Sequence, residues 1–430
     1  MRDDNEVVPV RAWVTTYAGM TINLCLGILY AWSIWKKALV NVELAGQPMG
    51  GLNAGWTYLT NAQAATPFSL CVIIFAVMMI PGGRIQDKYS PATGALVGGI
   101  LLALGCVVAG LMKSYMGLIL GFGVIGGIGM GLGYAAPTPA ALKWFGHKRR
   151  GLVAGIVVAG YGGAAIYIGA LGQWLIDHYG ITGSFTALGI FFAVVVVAAS
   201  RLLYTPPEGY VPPTPLKSAG AGGNRSIKKN FSPGEMIKTW QFYALVFLFV
   251  LSTQSGLLII ANAAGLLKDA GKGIPLLLAN AWILVSYGGF VNASGRVATG
   301  WYSDKIGRRN AYIVNCLISA CCLFSLPYVI STRNIVLLFI VVGIAYWQYG
   351  GGLSLLPSFT VDFYGEKHLG MNYGLVFLGW GLGFFMARLG GTIEDMTGSL
   401  NVAFYISGGL LLAGAVLARI VKSPENKGER

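Results

Sequence analysis

Arg296 lies in a stretch of sequence that is otherwise almost free of charge. It falls within GGFVNASGRVATGWYSD, eight residues before Asp304, so about 12 Å of helix would separate the two. An arginine this deep in hydrocarbon costs about 2.5 to 3.5 kcal/mol on insertion scales and usually faces a polar cavity. Its planar guanidinium donates two parallel hydrogen bonds, the geometry that binds a carboxylate. The residue type and its position therefore predict an anion-binding side chain.

The acids of the chain offer Arg296 no obvious partner. Asp362, Glu394 and Asp395 stand at or near the ends of apolar runs, away from the depth of Arg296. A structural ion pair is the alternative, but without a carboxylate at matching depth the natural counter-ion is that of a solute. Asn292 is one helical turn away on the same face and could add a donor, although helix packing explains it equally well.

Aromatic side chains with polar atoms could complete a cage around such an anion. A tyrosine hydroxyl or a tryptophan indole donates a hydrogen bond from a rigid ring, which orients an oxyanion and excludes water. Taken singly, each is better explained by helix packing or by an aromatic belt at the membrane surface. The candidates are Tyr30, Tyr134, Tyr161, Trp347, Tyr349 and Trp380.

The bulk composition indicates which elements must hold these residues. Of 430 residues, 55% are hydrophobic and 11% are charged, and the mean hydropathy is +0.65, which excludes a water-soluble domain. Apolar runs long enough to cross about 30 Å of hydrocarbon recur along the chain, so we predict an all-α membrane protein with twelve transmembrane helices. The predicted spans are 12–35, 57–80, 92–112, 115–140, 151–175, 182–204, 240–266, 275–302, 311–331, 334–361, 370–393 and 401–421.

Sequence motifs of enzymes and pumps are missing. The chain has no HExxH, no CxxC pair and no P-loop, so we expect neither an enzyme nor a metal or other cofactor. Residues 121–126 fit the dinucleotide pattern GxGxxG, but they lie within an apolar run without a preceding strand. Helix packing explains them better.

Basic residues are distributed unevenly between the predicted loops. Of the 30 lysines and arginines, 22 fall on the face that carries both termini, six on the other face and two within spans. By the positive-inside rule, this predicts cytoplasmic termini in an inner, or plasma, membrane. The net charge of +14 therefore indicates topology in a lipid bilayer and not a nucleic-acid partner.

A polar stretch divides the predicted spans into six and six. Residues 205–238 are rich in Pro, Gly, Ser and Lys, which predicts a cytoplasmic linker between bundles formed by residues 1–204 and 239–430. Each half carries a charged segment after its second span, at 82–88 (GGRIQDK) and at 300–309 (GWYSDKIGRR).

We predict that these segments form tight loops. In each, the aspartate caps the next helix and pairs with basic side chains, in a contact that breaks and re-forms during movement. A charged turn that only fixes the topology is the alternative. The residues assigned to gating are Arg84, Asp87, Asp304, Arg308 and Arg309. Arg388, near the outer end of its span, is given a structural or gating role.

Together these features resemble the major facilitator superfamily. The paired segments on a six-plus-six layout extend the resemblance over essentially the whole chain. Residues 143–155 (KWFGHKRRGLVAG) and 159–162 (AGYG) are similar to the loop entering the fifth helix of monocarboxylate porters and of the oxalate:formate antiporter family. Further segments similar to the latter family are SPGEM at 232–236 and NYG at 372–374.

The resemblance implies two related halves that alternate access around a midplane site at their interface. In the oxalate:formate family, the pocket is lined at the positions of Arg296, Tyr30, Tyr134, Tyr161 and Tyr349. The sequence departs from that family at Trp380, where the antiporter has a lysine that meets the second charge of oxalate. A dianion would then leave one carboxylate unpaired beside an indole, which costs several kcal/mol.

We therefore predict a secondary active transporter of small monocarboxylates, such as lactate, pyruvate or formate, that functions as a monomer. Proton-linked transport is favoured, and an oxalate:formate-type anion exchanger is the alternative. A membrane anion sensor would instead bind without flux, and a channel would show flux that does not saturate.

Overall fold

The computed structural model describes residues 8–41, 43–212, 230–270, 282–397 and 399–424. These residues are almost entirely helical, and their β structure consists of two isolated bridges between α2 and α3, Val40–Leu59 and Pro48–Thr57. The α-helices before residue 205 are α1 (Val10–Leu26), α2 (Trp32–Leu39), α3 (Asn61–Lys88), α4 (Pro91–Leu111), α5 (Tyr115–Gly117), α6 (Gly127–Tyr134), α7 (Pro137–Leu142) and α8 (His147–Ser200). Those after residue 230 are α9 (Pro233–Met236), α10 (Trp240–Ala270), α11 (Trp282–Ile306), α12 (Arg308–Ser331), α13 (Ile335–Tyr364), α14 (Leu369–Gly383), α15 (Phe385–Thr397) and α16 (Asn401–Ile420). Short 3₁₀ helices span Gly27–Ala31 and Gly51–Asn53, and a π-helix spans Leu118–Gly126.

Nine helical stretches of the described residues are long and apolar enough to cross a membrane. The all-helical class predicted from composition is therefore confirmed, and the architecture is that of a multi-pass membrane protein. The longest stretch, Arg149–Ser200, covers two of the predicted spans. The count of twelve spans and the side on which the termini lie stay predictions.

A glycine interrupts α8 between those two predicted spans. Gly180 has a φ of 69°, and a Cβ at this position would overlap the carbonyl of Leu52. The loop between α2 and α3 closes the break, because Asn53 Oδ1 accepts a hydrogen bond from the Ile181 amide at 2.8 Å. The helix therefore restarts after Gly180 with a cap that comes from another part of the chain.

The charged segments predicted to be loops lie largely inside helices. Asp87 and Asp304 occupy the last turns of α3 and α11. Only Tyr89 and Ser90 separate α3 from α4, and Gly307 alone, with a φ of 86°, separates α11 from α12. The prediction was wrong in the loop length, because a side-chain cap or one left-handed glycine is enough to turn the chain.

Two helix pairs form the most extensive contacts between the part of the chain before residue 205 and the part after residue 238. Helix α8 packs along α11, and α3 packs along α14. The backbones approach closely, since a Cβ at Gly155 would overlap the backbone of Arg296 and a Cβ at Gly83 would overlap that of Gly370. Small residues at these crossings bring the candidate site residues of both parts together.

The described ends of the predicted linker pack against the helices. The Tyr210 hydroxyl donates to the Trp144 carbonyl at 3.1 Å, and the Phe231 amide donates to the Tyr364 carbonyl at 2.9 Å. Residues 213–229 lie outside the described residues. The division into bundles of residues 1–204 and 239–430 joined by a linker at 205–238 therefore stays a prediction.

Candidate anion-binding site

Arg296 is fully buried at the contact between α8 and α11. Its Nε donates to Asn292 Oδ1 at 2.8 Å, one turn earlier on the same helix. Its two terminal nitrogens donate to the carbonyl of Val158 on α8 and, at 3.2 Å, to the hydroxyl of Tyr30. All three acceptors are neutral, and no ion pair joins Arg296 to an acid within the described part of the chain.

A glycine on α8 makes room for the guanidinium. A Cβ at Gly162 would lie 2.9 Å from Arg296 Nε and 3.0 Å from Asn292 Oδ1. A larger residue would therefore displace the arginine from the helix contact. The sequence AGYG at 159–162 thus supplies both the open space and the neighbouring ring of Tyr161.

A chain of hydrogen bonds leads from Arg296 across the interface. The Tyr30 and Tyr349 hydroxyls lie 2.6 Å apart, and Trp380 Nε1 donates to the Tyr349 hydroxyl at 3.0 Å. One of the two hydroxyl protons is shared between the tyrosines. The other has no acceptor among the described residues, so this chain has more donors than acceptors and is suited to an anion.

Aromatic rings enclose the opposite side of the cluster. Tyr161 packs edge-on against Tyr30 and Tyr134, with centroid distances of 5.1 and 5.2 Å. Phe75 and Phe377 each contact the Trp380 ring, at 5.1 and 5.2 Å. The donors of Arg296, Tyr30 and Trp380 therefore border an apolar wall, which excludes water and strengthens charge interactions.

The structure brings most of the candidate site residues together. The residues in this cluster are Arg296, Asn292, Tyr30, Tyr134, Tyr161, Tyr349 and Trp380. Trp347 lies elsewhere and lines a cavity of about 430 Å³ between α11, α12 and α13, with Tyr302 and Asn315. Positions 347 and 349 point to different sides of α13 because two residues turn a helix by about 200°. The side chain of Arg388 lies outside the described residues.

Four contributors were missed by the sequence analysis. The Val158 acceptor is a backbone carbonyl, which has no signature in a sequence. Phe75 and Phe377 are apolar residues in apolar helices, so nothing distinguishes them from other core residues. Tyr373 is also buried beside Phe377, at a centroid distance of 5.7 Å. In the sequence, its only distinguishing feature is its place in the NYG segment at 372–374.

Two aspartates at the ends of α11 and α3 form hydrogen bonds to the helices packed against them, α8 and α14. Asp304 accepts hydrogen bonds from the amides of Gly151 and Leu152, both at 2.9 Å, at the start of α8. Asp87 accepts from the amides of Gly370 and Met371, at 3.2 and 2.9 Å, at the start of α14. Each aspartate therefore binds amides in the first two turns of a distant helix across the interface, instead of capping the next helix as predicted, and complements that helix dipole.

Ion pairs surround these aspartates. Arg308 pairs with Asp304 and with Asp362, the latter at 3.3 Å. Arg150 pairs with Glu366 and lies 4.0 Å from Asp362. We call the residues that make these contacts the charged clasp: Asp87, Lys143, Arg150, Asp304, Arg308, Asp362 and Glu366.

Lys143 completes the charged clasp near Asp87, at 3.7 Å. Burial lowers the pKa of Lys143, and the neighbouring carboxylate of Asp87 opposes that shift. Arg84 and Arg309, also predicted to take part in gating, are exposed. The clasp is thus formed largely by partners that the paired segments alone did not reveal.

Comparison with known proteins gives matches along most of the chain. Residues 13–387 match the family model of the Major Facilitator Superfamily. The oxalate:formate antiporter of Oxalobacter formigenes is 26% identical, with 84% of each chain covered. The apicoplast pyruvate carrier 1 of Toxoplasma gondii is 25% identical, covering 85% of this chain and 81% of the carrier. The solved structure of the proton:xylose symporter XylE matches with a TM-score of 0.70 at 15% identity, covering 95% of each chain.

Proposed function

The chain belongs to the Major Facilitator Superfamily of transporters, and we propose that it carries small monocarboxylates, such as lactate, pyruvate and formate, by alternating access. The observation that carries this proposal is the buried guanidinium of Arg296, which neutral groups alone bind within the described residues. An inner-membrane location, cytoplasmic termini and function as a monomer belong to the same proposal.

A carboxylate is a better acceptor for Arg296 than the groups that now bind it. Hydrogen bonds between ionised partners are roughly twice as strong as neutral ones. A substrate carboxylate would replace the Val158 carbonyl and the Tyr30 hydroxyl as partners of the terminal nitrogens. The surplus hydroxyl proton of the Tyr30–Tyr349 pair would then find an acceptor on the substrate.

The charge of the site favours a monoanion. Arg296 is the cation of the cluster, and the indole of Trp380, buried at 1% exposure, stands where a second cation would be needed for a dianion. A second, unpaired carboxylate in this aromatic enclosure would cost several kcal/mol. Two relatives are named for small carboxylates, one for oxalate and formate and another for pyruvate, and of these formate and pyruvate are monoanions.

The charged clasp is proposed to act as a gate. It connects the end of α11 to α8 and the end of α3 to α14, and these contacts are formed in this structure. The substrate site lies between the same helix pairs, with Arg296 on α11 and Val158 on α8. A ligand that breaks the Arg296–Val158 contact would therefore weaken the packing that the clasp holds.

Proton-linked transport is the proposed coupling. The described residues around Arg296 include neither a carboxylate nor a histidine, so the proton would travel with the substrate. We expect acidification of the outer medium to drive uphill lactate uptake into proteoliposomes. If only an internal carboxylate drives that uptake, the carrier is an anion exchanger.

Counterflow in proteoliposomes tests the proposed function. Purified protein is reconstituted with internal pyruvate, and entry of labelled lactate, pyruvate, formate and oxalate is compared. We expect saturable accumulation of the three monocarboxylates and little of oxalate. Oxalate accumulation that rivals pyruvate would contradict the substrate class. Binding without accumulation would indicate a sensor, and flux that does not saturate would indicate a channel.

Trp380→Lys is expected to raise oxalate transport relative to pyruvate by about tenfold or more, because a second cation pairs with the second carboxylate. Trp380→Phe is the matched control, since it removes the indole N–H without adding charge. The measurement is the ratio of oxalate to pyruvate counterflow. An unchanged ratio in a Trp380→Lys protein that still carries pyruvate would contradict the single-cation account.

A further inference from the structure

Tyr373 carries a buried hydroxyl that makes no hydrogen bond of normal geometry within the described part of the chain. The residue lies on α14, is 0% exposed, and its hydroxyl has no hydrogen-bond partner within the described residues. The Tyr134 hydroxyl is a potential partner but lies outside normal hydrogen-bond geometry, and Arg296 is close enough to interact with Tyr373 electrostatically. The ring of Tyr373 packs against Phe377, which also contacts Trp380. A buried hydroxyl left without a partner opposes folding, so its presence beside the anion site points to a ligand atom as the missing acceptor.

In the proposed binding mode, the carboxylate of the substrate meets three donors without Tyr373. The guanidinium fork of Arg296 meets both carboxylate oxygens, and the surplus proton of the Tyr30–Tyr349 pair adds a third donor. A further donor near the guanidinium is therefore available to an oxygen outside the carboxylate. In lactate and pyruvate that oxygen is on C2, next to the carboxylate.

We propose that Tyr373 determines specificity by donating a hydrogen bond to the C2 oxygen of a 2-hydroxy or 2-oxo monocarboxylate bound at Arg296. This inference rests on the proposed function and names its substrate class more narrowly. A site built to hydrogen-bond a substrate group discriminates strongly against an analogue that lacks the group. Lactate and pyruvate should then be favoured over propionate, which has the carbon skeleton of lactate without its hydroxyl.

Tyr373→Phe separates this role from a structural one. Removing an unsatisfied hydroxyl should leave the Tm unchanged or raise it. The Kd for lactate and for pyruvate should rise about tenfold, while the Kd for propionate changes less than about twofold. The readouts are the thermal stability of the purified protein and the Kd of each acid from titration calorimetry.

Tyr312→Phe is the matched control, because the Tyr312 hydroxyl is buried and donates to the Leu248 carbonyl at 2.7 Å. That change should lower the Tm and leave the preference for lactate over propionate intact. Equal effects of Tyr373→Phe on lactate and propionate, or no effect on either, would overturn the assignment. If wild-type protein binds none of these acids, the proposed function itself fails. If it binds them through Arg296 and Tyr373→Phe keeps the preference, only the role of Tyr373 fails.

Discussion

Arg296→Lys is expected to lower kcat/KM for pyruvate by about a hundredfold while the protein still folds and inserts. Lysine keeps the charge but presents an ammonium instead of a planar fork, so it cannot hold both carboxylate oxygens in a fixed plane. It also cannot span the three acceptors, on Asn292, Val158 and Tyr30, that orient the guanidinium. The measurement is initial-rate counterflow in proteoliposomes with matched protein content.

Arg309→Lys is the control for this substitution, because Arg309 is exposed beyond the end of α11. It makes the same chemical change away from the site and should leave transport close to the wild-type rate. If Arg296→Lys transports pyruvate within about threefold of wild type, the carboxylate does not depend on the guanidinium geometry.

Asp304→Asn is expected to open the charged clasp and to lower transport about tenfold. The carboxylate of Asp304 accepts from two amides at the start of α8 and also pairs with Arg308, which is only 7% exposed. An asparagine amide group would face one of those amides with a second donor and would leave Arg308 with less counter-charge. Losing one partner of a buried pair typically costs about 3 to 5 kcal/mol, enough to shift a conformational equilibrium.

Spin labels at the exposed positions 84 and 309 report on this clasp directly. With Arg84→Cys and Arg309→Cys in a Cys321→Ser background, the distance between the labels should lengthen in Asp304→Asn relative to the same protein with Asp304. Asp177→Asn is the control, because Asp177 is an exposed acid that bonds only Gln173 among its described contacts. An unchanged distance distribution combined with wild-type transport would show that the clasp is not a gate.

Sequence reasoning succeeded where a charged or polar side chain lies in an otherwise apolar stretch. Arg296 stands out because a charge within an apolar run demands a partner, and the membership of the superfamily that the paired segments suggested is confirmed. Asn292 followed from helix periodicity and does bond to Arg296. These inferences need only local sequence and the cost of burying a charge.

The direction in which each side chain points from its helix was harder to predict. The long helices of this chain are apolar on nearly all sides, so no hydrophobic stripe shows which face meets the neighbouring helix. Trp347 and Trp380 were both predicted to line the site, yet Trp380 bonds Tyr349 whereas Trp347 lines a separate cavity. Trp347 lies on α13 and Trp380 on α14, and only the packing of each helix against its neighbours distinguishes the two.

Long-range partners could not be derived from local patterns. Asp87 was expected to cap the helix that follows it, but it caps α14, which begins more than 280 residues later. The Val158 acceptor is likewise a backbone atom, available at any position where two helices approach closely. Such contacts follow from how α3 meets α14 and α8 meets α11.

A direct distance measurement tests the pairing of Arg296 with the substrate. Protein with ¹⁵N-labelled arginine side chains is reconstituted in lipid with pyruvate labelled with ¹³C at the carboxylate, and rotational-echo double-resonance NMR measures their dipolar coupling. We predict a carboxylate carbon about 4 Å from guanidinium nitrogen in wild type, and loss of that coupling in Arg296→Lys. Saturated pyruvate binding without the coupling, or a coupling that persists in Arg296→Lys, would contradict the assignment of Arg296 as the group that binds the substrate.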